Sequence, residues 1–519
     1  MRAVARPDSR FGYDLTSFIP DFAGSERLFG RLEELPCYTG DGPVFVTPDN
    51  CLPDLKAGLI ISGRPLLQTV AVALGFHYIR PGTVRPADAR FAGTLDGALL
   101  LAEKIELDAV RELGQLDFVV TGACAVDPRT GVRFGKGHGF FDTEWALLSE
   151  LGVASPATPV IICVHDYQLV DTELVPSPHD TAGDWIITPT QTIHVAERHS
   201  NPTGVQWDLV DAERLAEIEP LRQLKLAASQ HDAGPGSGKG TTPPAGQPAA
   251  VTQDTAEVQQ VVREKVWAAF RTVARPDSRF HWDFASFIAD FEGSEQCVDR
   301  VRAMPAWSRS ALLFITPDNS TELIRRAAMA DGKPFLMTTY GIRRGFLALD
   351  PGDVPVAERS YAATLDGTDH YARPIDLKDI SRIGRIGLLI TGGSAVNLSG
   401  HRMGKGHGYF DLEWALLSEI GAVDDASEIV DVVHDCQLVD VDVAAAAHDV
   451  PVDWIITPTR TVRTDAPCRA PGRVRWDLVW DTELAGVPPV MELAALQGRE
   501  LRPGATPYPA HKLRMGGQG

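Results

Sequence analysis

Apolar and polar residues alternate along the chain in two kinds of block. Short runs rich in Val and Ile have the composition of strands that are buried on both faces, whereas other stretches carry apolar residues every three or four positions, as amphipathic helices do. In the C-terminal half, this pattern predicts strands at residues 312–316, 334–338, 386–391, 429–433 and 454–457 and helices at residues 321–330 and 413–420.

The order of these elements indicates the fold class. Near-continuous apolar strands that alternate with helices favour a mostly parallel sheet with helices on both faces. The helix at 321–330 is expected to carry Arg325 and Arg326 on its polar face, and Gly421 follows the second helix where a C-cap glycine is preferred. We therefore predict α/β domains of three layers, α/β/α.

An internal repeat divides the chain into two copies. Residues 4–11 recur unchanged at 273–280, and the same offset of 269 relates residues 185–190 to 454–459. A repeat of this length is expected to hold its own hydrophobic core, unlike solenoid repeats of about 20 to 45 residues. The sequence thus predicts two tandem domains with a linker and a polar C-terminal tail, at residues 1–227, 228–258, 259–498 and 499–519.

The predicted linker is rich in Gly, Pro and Ala and has few large apolar residues, a composition typical of flexible segments. It contains GPGSGKGT at residues 234–241, which looks like a phosphate-binding loop. A working loop of that kind follows a buried strand and begins a helix. Polar residues precede this segment and Pro243 and Pro244 follow it, so we interpret it as linker.

Composition and charge narrow the class of function. Of the 519 residues, 44% are hydrophobic and 23% charged, which excludes a fibre, a coiled coil and a fully disordered chain. The formal net charge of -20 disfavours nucleic acid and anionic membranes as partners. Three features of the sequence predict a cytoplasmic protein. The seven cysteines form no CxxC pair, the N-terminus has no apolar signal region, and no apolar run is long enough to span a membrane. The sequence does not determine the oligomeric state.

The segment RMGKGHGYFD at residues 402–411 carries the candidate chemistry. Residues 135–152 and 404–421 are identical at 15 of 18 positions, whereas residues 51–80 and 320–349 have diverged strongly. Glycines at alternate positions let successive main-chain amides face one anion, and the N-terminus of the following helix favours phosphate. We predict a nucleoside triphosphate site whose residues are Arg402, Gly404, Lys405, Gly406, His407 and Gly408, with Asp411 as a Mg²⁺ ligand.

The first copy contains the corresponding segment, with the same residue types at the candidate positions. Its corresponding candidates are Arg133, Gly135, Lys136, Gly137, His138 and Gly139, with Asp142 as the metal ligand. A structural interpretation stays open, in which the glycines form a tight turn and Asp411 merely caps the helix N-terminus.

Three motifs, in order, resemble those of the 5-formyltetrahydrofolate cyclo-ligases, also called methenyltetrahydrofolate synthetases. RMGKGHGYFD is similar to the family's R-L-G-x-G-x-G-Y-Y-D signature, HDCQLVD at residues 434–440 to its D-x-Q-L-V-D segment, and HDVPVDWIIT at residues 448–457 to its H-D-V-P-V-D-x-I-I-T ending. The GKGHG form of the loop is most similar to the divergent methenyltetrahydrofolate-synthetase-domain-containing branch.

The resemblance implies a fold related to the sugar-phosphate isomerase and CoA-transferase group. It also implies ATP-dependent closure of 5-formyltetrahydrofolate to 5,10-methenyltetrahydrofolate, in which the formyl oxygen attacks the γ-phosphoryl group and an amine of the folate then displaces the phosphate. ATP and Mg²⁺ are the implied cofactors, and a small-molecule folate is the implied substrate. By position, Arg402 and Lys405 would act on the phosphates and Tyr409 would face the folate.

Two features of the aligned segments bear on these roles. The family's pterin-holding Glu, in an N-E-V-x-T segment, aligns with Pro317. The family's N-terminal basic helix matches residues 262–271, in which Arg263 is the best positional match for a nucleotide contact.

The two copies differ at other positions of the motif. The first copy starts at Met1, one residue before the equivalent of Arg271, so it lacks the basic helix or its start codon is misassigned. It also has Phe140 where the second copy has Tyr409. We therefore expect the second copy to be the active one. Two other functions stay open: a non-catalytic or regulatory nucleotide-binding module, and a different ligation that activates a carboxylate or amide.

We interpret the remaining His and Trp motifs as structural. Adjacent residues in a strand point to opposite sides, so a His-Asp pair at a strand end is poorly suited to act as one acid-base pair. The strand-end pairs are His165–Asp166 and His434–Asp435, whereas His179–Asp180 and His448–Asp449 lie in predicted loops and are also interpreted as structural. Trp145 and Trp414 are expected to be core residues, and Trp207 and Trp476 are expected to pack on a late strand.

Overall fold

The computed structural model describes residues 1–232, 255–441, 449–466, 472–480 and 482–499. The phosphate-loop look-alike at 234–241 and His448 therefore lie outside the described residues. The chain divides into two units, Met1–Ala250 and Val251–Gly519, which we call the first and the second unit. Each unit contains one copy of the repeat, so the tandem organisation is confirmed.

The first unit contains eight described α-helices and ten strands. The helices are α1 Leu28–Glu33, α2 Pro53–Ile61, α3 Ala89–Gly93, α4 Leu95–Leu101, α5 Leu107–Glu112, α6 Phe140–Glu150, α7 Ala212–Glu217 and α8 Glu219–Asp232. The strands are β1 Val44–Val46, β2 Leu66–Thr69, β3 Phe76–Ile79, β4 Glu103–Ile105, β5 Val119–Gly122, β6 Ala125–Val126, β7 Arg133–Phe134, β8 Val160–Cys163, β9 Trp185–Ile187 and β10 Thr192–His194.

The second unit contains ten described α-helices and ten strands. The helices are α9 Thr255–Phe270, α10 Ser294–Arg302, α11 Pro305–Arg309, α12 Glu322–Ala330, α13 Arg359–Ala362, α14 Leu365–Tyr371, α15 Leu377–Ile383, α16 Tyr409–Glu419, α17 Trp476–Val479 and α18 Pro488–Leu496. The strands are β11 Leu313–Ile315, β12 Phe335–Thr338, β13 Phe346–Leu349, β14 Arg373–Ile375, β15 Leu388–Gly392, β16 Ala395–Val396, β17 Arg402–Met403, β18 Glu428–Val432, β19 Trp454–Ile456 and β20 Thr461–Arg463.

Both main sheets have eight strands in the same order. The first reads β10-β9-β8-β5-β1-β2-β3-β4, and the second reads β20-β19-β18-β15-β11-β12-β13-β14 in the corresponding direction. The five central strands of each sheet are parallel, and antiparallel strands flank them on both sides. The predicted mostly parallel α/β fold is confirmed, because parallel neighbours require crossover helices.

Each sheet is covered on both faces. In the second unit, Phe314 and Leu389 belong to one buried cluster with Trp414 of α16. The neighbouring residues Leu313 and Leu388 belong to a second cluster on the opposite face. Since successive side chains of a strand point to opposite faces, two separate cores on alternate residues define the three-layer arrangement.

The predicted central elements of the second unit agree with the structure within a few residues. The edge strands β13, β14 and β20 were not predicted, because short antiparallel strands with polar residues lack a continuous apolar run. Helix α16 begins at Tyr409, four residues before the predicted start, so the helix follows the glycine loop directly.

Three predictions about individual side chains were wrong. Arg325 is fully buried and not on a polar face, because its guanidinium donates to the carbonyl oxygens of Thr316 at 2.7 Å and Ala363 at 2.9 Å. Trp207 begins a single 3₁₀ turn and Trp476 begins α17, so neither lies on a strand. By contrast, Trp145 and Trp414 are buried core residues, as predicted.

Helix occupies both ends of the stretch predicted to be a linker, since α8 continues to Asp232 and α9 begins at Thr255. No helix in the described ranges combines the length and the apolar character that a bilayer crossing requires.

Candidate functional site

The glycine loop of the second unit connects β17 to α16. Gly406 and Gly408 have φ angles of 101° and 65°, in the left-handed region that other residues rarely adopt. Gly408 is the N-cap residue of α16 and no side chain caps this helix end. The helix therefore begins immediately after the loop, with its N-terminal dipole at the loop.

The main-chain NH groups of the loop are not used by the protein. Within the described ranges, none of the NH groups of residues 404–408 donates a hydrogen bond. The same holds for residues 135–139 of the first unit. Amide groups left without partners at a turn form the kind of concavity that binds anions.

The loop forms one wall of a cleft of about 140 Å³ in the second unit. Other walls come from the ends of β11 and β15, where Asp318 and Gly392 lie, and from α9, which contributes Arg263. Because the carboxyl ends of neighbouring parallel strands meet at one edge of the sheet, this is where ligands of open α/β sheets bind. The sequence-predicted residues from Arg402 to Asp411 all line this cleft.

Lys405 is held at the cleft by two hydrogen bonds. Its Nζ donates to the carbonyl oxygen of Ser286 at 3.1 Å and contacts the hydroxyl of Tyr340 at 3.0 Å, and it lies 4.3 Å from the centre of the Tyr340 ring. Burial lowers the pKa of Lys405, while the carboxylates of Asp318 and Asp277 oppose that shift. The ammonium group thus has a fixed position and less solvent than a surface lysine, which strengthens its attraction for phosphate.

Arg402 lies beneath the loop. Its guanidinium packs on the Phe410 ring with 4.9 Å to the centroid, and Nη1 donates to the carbonyl oxygen of Gly392 at 3.1 Å. Its Nη2 lies 3.9 Å from Oδ2 of Asp411. The side chain is nearly buried, so its charge is weakly screened.

Asp411 lies in the first turn of α16, but it does not cap that helix. Its Oδ1 accepts a hydrogen bond from the main-chain NH of Val450 at 2.9 Å. Asp142 in the first unit accepts the corresponding bond from Thr181 at 2.9 Å. The capping interpretation is therefore wrong, because the carboxylate connects α16 to the segment that follows β18.

The described residues contain no cluster of three or more His, Cys, Asp or Glu side chains that could hold a metal ion by themselves. Mg²⁺ commonly binds through one or two carboxylates and completes its shell with water and phosphate oxygens. A single carboxylate such as Asp411 beside unbonded loop amides fits that kind of site, in which the ligand supplies the remaining oxygens.

Arg263 on α9 lies next to the glycine loop. The nearest guanidinium nitrogen would lie 3.4 Å from a Cβ built on Gly406, and Nε donates to Gln260 at 3.1 Å. Burial lowers the pKa of Arg263. His407 is exposed and lies against the ring of Tyr409, with 5.4 Å between ring centroids.

Glu413 is a cleft residue that the sequence analysis missed. It is almost completely buried on α16, and the hydroxyl of Thr338 at the end of β12 donates to its Oε1. Burial raises the pKa of Glu413 to about 8. Glu144 and Thr69 form the same pair in the first unit, where burial also raises the pKa of Glu144 to about 8. A glutamate retained on the apolar side of the same helix in both copies was the signal available in the sequence.

The strand-end pairs His434–Asp435 and His165–Asp166 make structural contacts. His434 Nδ1 accepts the main-chain NH of Cys436 at 3.2 Å, and Asp435 accepts hydrogen bonds from Thr457 and Thr459 at 2.7 and 2.5 Å. The first-unit pair makes equivalent contacts, so the structural interpretation is confirmed for both. Asp449 does line the cleft and lies 3.8 Å from Nε2 of His401.

The corresponding loop of the first unit carries an additional contact. Nη2 of Arg214 donates to the carbonyl oxygens of His138 at 2.7 Å and Gly139 at 2.9 Å and to the hydroxyl of Thr143 at 2.7 Å. In the second unit the aligned residues are Glu483 and Leu412, which cannot make these bonds.

A family model described as the 5-formyltetrahydrofolate cyclo-ligase family matches two segments, residues 15–189 and 255–458, which together make up well over half of the chain. The chain belongs to this family. Each match falls within one unit, so both units are cyclo-ligase-family domains.

Individual relatives agree with this assignment. Methenyltetrahydrofolate synthase domain-containing proteins from Homo sapiens and Danio rerio are 30% and 29% identical over 250 and 244 residues. These matches cover 47% and 46% of this chain and 63% of each relative, so the chain spans less than two-thirds of the length of either. A 5-formyltetrahydrofolate cyclo-ligase from Mycolicibacterium smegmatis is 37% identical over 81 residues, which cover 16% of this chain and 38% of that protein.

Among solved structures, the 5,10-methenyltetrahydrofolate synthetase of Aquifex aeolicus matches with a TM-score of 0.27 and 16% identity, over 41% of this chain and 95% of that one.

Proposed function

We propose that the second unit catalyses the ATP- and Mg²⁺-dependent cyclisation of 5-formyltetrahydrofolate to 5,10-methenyltetrahydrofolate. The single observation that carries this proposal is the set of unbonded NH groups at residues 404–408, in a cleft that also holds Lys405, Arg402 and Arg263. Unbonded amides and three cations complement the charge of a triphosphate, which this acidic chain would otherwise repel.

The protein's part in such a reaction is to position the phosphates and stabilise their charge. The loop amides would donate to the phosphate oxygens, and Lys405 would neutralise the γ-phosphoryl group as negative charge shifts during transfer. Asp411 would hold Mg²⁺, which supplies charge neutralisation on the phosphate oxygens when bound.

Tyr409 supports a role for the same cleft in folate binding. It lies at the start of α16 with its ring 5.5 Å from Lys405 Nζ, and burial raises the pKa of its hydroxyl, as does the negative charge of Glu483. The hydroxyl therefore stays protonated at neutral pH and can donate to, or accept from, the reacting end of a folate.

The test is to mix the full-length chain with 5-formyltetrahydrofolate, ATP and Mg²⁺ and to follow the absorbance of the methenyl product together with ADP release. Product formation that requires all three components is the expected result. Lack of product and of ADP under every condition tried, with ATP bound, would leave the second candidate function.

That second candidate is a non-catalytic nucleotide-binding module of the same fold. It is favoured by Pro317, which lines the cleft where the family motif places a pterin-holding Glu and which has neither a charge nor a main-chain NH. Calorimetry that detects ATP binding, with no turnover of 5-formyltetrahydrofolate, distinguishes it from the ligase.

A further inference from the structure

A buried carboxylate lies next to the loop of the second unit and has no equivalent in the first. Asp431 on β18 is fully buried, and neither Oδ1 nor Oδ2 receives a hydrogen bond from the described residues. The aligned residue of the first unit is Ile162 on β8, the type that a central strand normally carries. Burying a carboxylate without hydrogen bonds is unfavourable, so its presence in this core requires an explanation.

Asp431 shares its environment with Arg402. Both side chains surround Gly393: a Cβ built there would lie 2.7 Å from Asp431 Oδ2 and 3.2 Å from Arg402 Cγ. Burial raises the pKa of Asp431 to about 7, the positive charge of Arg402 opposes that shift, and Asp318 adds to it. The charge of Arg402 therefore acts on the Asp431 carboxylate without a direct hydrogen bond.

The arginine itself differs between the two units. In the first unit, Nη2 of Arg133 donates to Oδ1 of Asp142 at 3.1 Å, a normal hydrogen-bonded ion pair. In the second unit the nearest separation between Arg402 and Asp411 is 3.9 Å, which is too long for a hydrogen bond. The second unit also has the buried carboxylate of Asp431 near Arg402, where the first unit has the uncharged Ile162.

We propose that Asp431 is a positioning residue that keeps the guanidinium of Arg402 out of a hydrogen-bonded pair with Asp411, so that its NH groups remain available to the phosphates of a nucleotide in the cleft. This inference rests on the proposed function, because it assigns a part in triphosphate binding. A guanidinium already bonded to a carboxylate has to break that bond before it binds phosphate, whereas a pre-positioned one does not.

The test compares Asp431→Ile, which installs the residue of the first unit, with the unchanged full-length chain. Calorimetry with ATP and Mg²⁺ is expected to show an affinity about tenfold lower for the variant. Its melting temperature is expected to rise, because an unbonded buried carboxylate is replaced by an apolar side chain. A positioning role therefore predicts lower ATP affinity together with a higher melting temperature. A lower melting temperature with unchanged ATP affinity would indicate a purely structural role and would overturn the proposal.

A double-mutant cycle tests whether Asp431 affects ATP affinity through Arg402, which a purely structural role would not do. If Asp431 acts through Arg402, then Asp431→Ile causes no further loss of ATP affinity in an Arg402→Gln chain, while independent effects add. Additive losses would overturn the proposal. Absence of ATP binding by the unchanged chain refutes the proposed function together with this inference, whereas equal affinities of the unchanged chain and the Asp431→Ile variant refute the inference alone.

Discussion

The two units have the same loop sequence, GKGHG, but different surroundings for it. In the second unit, the loop lysine contacts the hydroxyl and ring of Tyr340, with Arg343 close enough to influence its charge. The segment that contributes these residues, 339–344, is one residue longer than its counterpart, 70–74, which holds only Val, Ala and Leu. Both units keep the unbonded amides, so the difference lies in the side chains that other elements bring to the loop.

The two units also differ at the aligned positions of Arg214 and Glu483, on another side of the loop. Arg214 binds the loop carbonyls in the first unit, whereas the aligned residue of the second unit is the exposed Glu483. Arg214 thus holds the first loop through hydrogen bonds, whereas Glu483 carries the opposite charge and raises the pKa of the Tyr409 hydroxyl. The glycine loop is therefore the same in both units, while the side chains around it have diverged.

The largest expected difference between the two units concerns the loop lysine, which can be replaced in each unit in turn. Lys405→Ala is expected to lower ATP affinity about a hundredfold, because a charge-assisted contact in a partly buried cleft is lost. Lys136→Ala is the matched control and is expected to leave ATP affinity nearly unchanged. Calorimetry measures both, and a larger effect of Lys136→Ala would show that the first unit holds the nucleotide.

Lys405→Ala also removes the hydrogen bonds to Ser286 and Tyr340, so part of its effect is structural. Circular dichroism and the melting temperature of the variant control for this. Tyr340→Phe, which keeps the ring under the ammonium group but removes the hydroxyl, separates the two contributions.

The aromatic residue after the loop is a second position at which the two units are expected to respond differently. Tyr409→Phe is expected to lower the rate of methenyl product formation about tenfold, the cost of one hydrogen bond at a reacting group, with ATP affinity retained. Phe140→Tyr in the first unit is the reciprocal change and is expected to have no effect on the rate. Steady-state kinetics with both substrates measure this, and an unchanged rate for Tyr409→Phe would remove the tyrosine from the mechanism.

The Arg214 contact predicts an effect on stability in the first unit. Arg214→Ala is expected to destabilise that unit by about 1 to 3 kcal/mol, because three hydrogen bonds to the loop and α6 are lost. Glu483→Ala, the matched change, is expected to alter stability by less than about 0.5 kcal/mol, since Glu483 is exposed. Denaturant unfolding of the two variants gives both values, and equal effects would contradict the proposed loop contact.

A further prediction concerns a feature that the two units share. Glu413 and Glu144 have pKa values raised by burial to about 8, so the folded protein retains two protons that the unfolded chain releases above about pH 4.5. Stability is therefore present in full at low pH and is lost as the pH rises towards 8. Melting temperatures of the unchanged chain are therefore expected to fall as the pH rises over this range.

The glutamine variants provide the control for this pH dependence. Glu413→Gln and Glu144→Gln cannot ionise, so each should remove about half of the decrease. A pH dependence that is the same in the double glutamine variant would mean that other groups cause it.

Much of the fold could be predicted, because the central strands and the helix α12 produce strong periodic patterns. The edge strands could not, since β14 contains Arg373 and Pro374 and is defined by its pairing with β13. Arg325 shows the same limit for a single side chain: a charged residue on a helix indicates a polar face unless buried main-chain carbonyls, which belong to other segments, accept its hydrogen bonds.

The sequence alone determined the duplication, the α/β class, the glycine loop and the family motifs, because each is written in residue order or in local periodicity. The tertiary structure decided which groups meet at the loop. Lys405 contacts Ser286, 119 residues away, and the charge of Arg402 acts on the carboxylate of Asp431, which lies on a different strand. Such contacts depend on strand order and burial, which local sequence does not encode, and they set the charges and hydrogen bonds of the cleft.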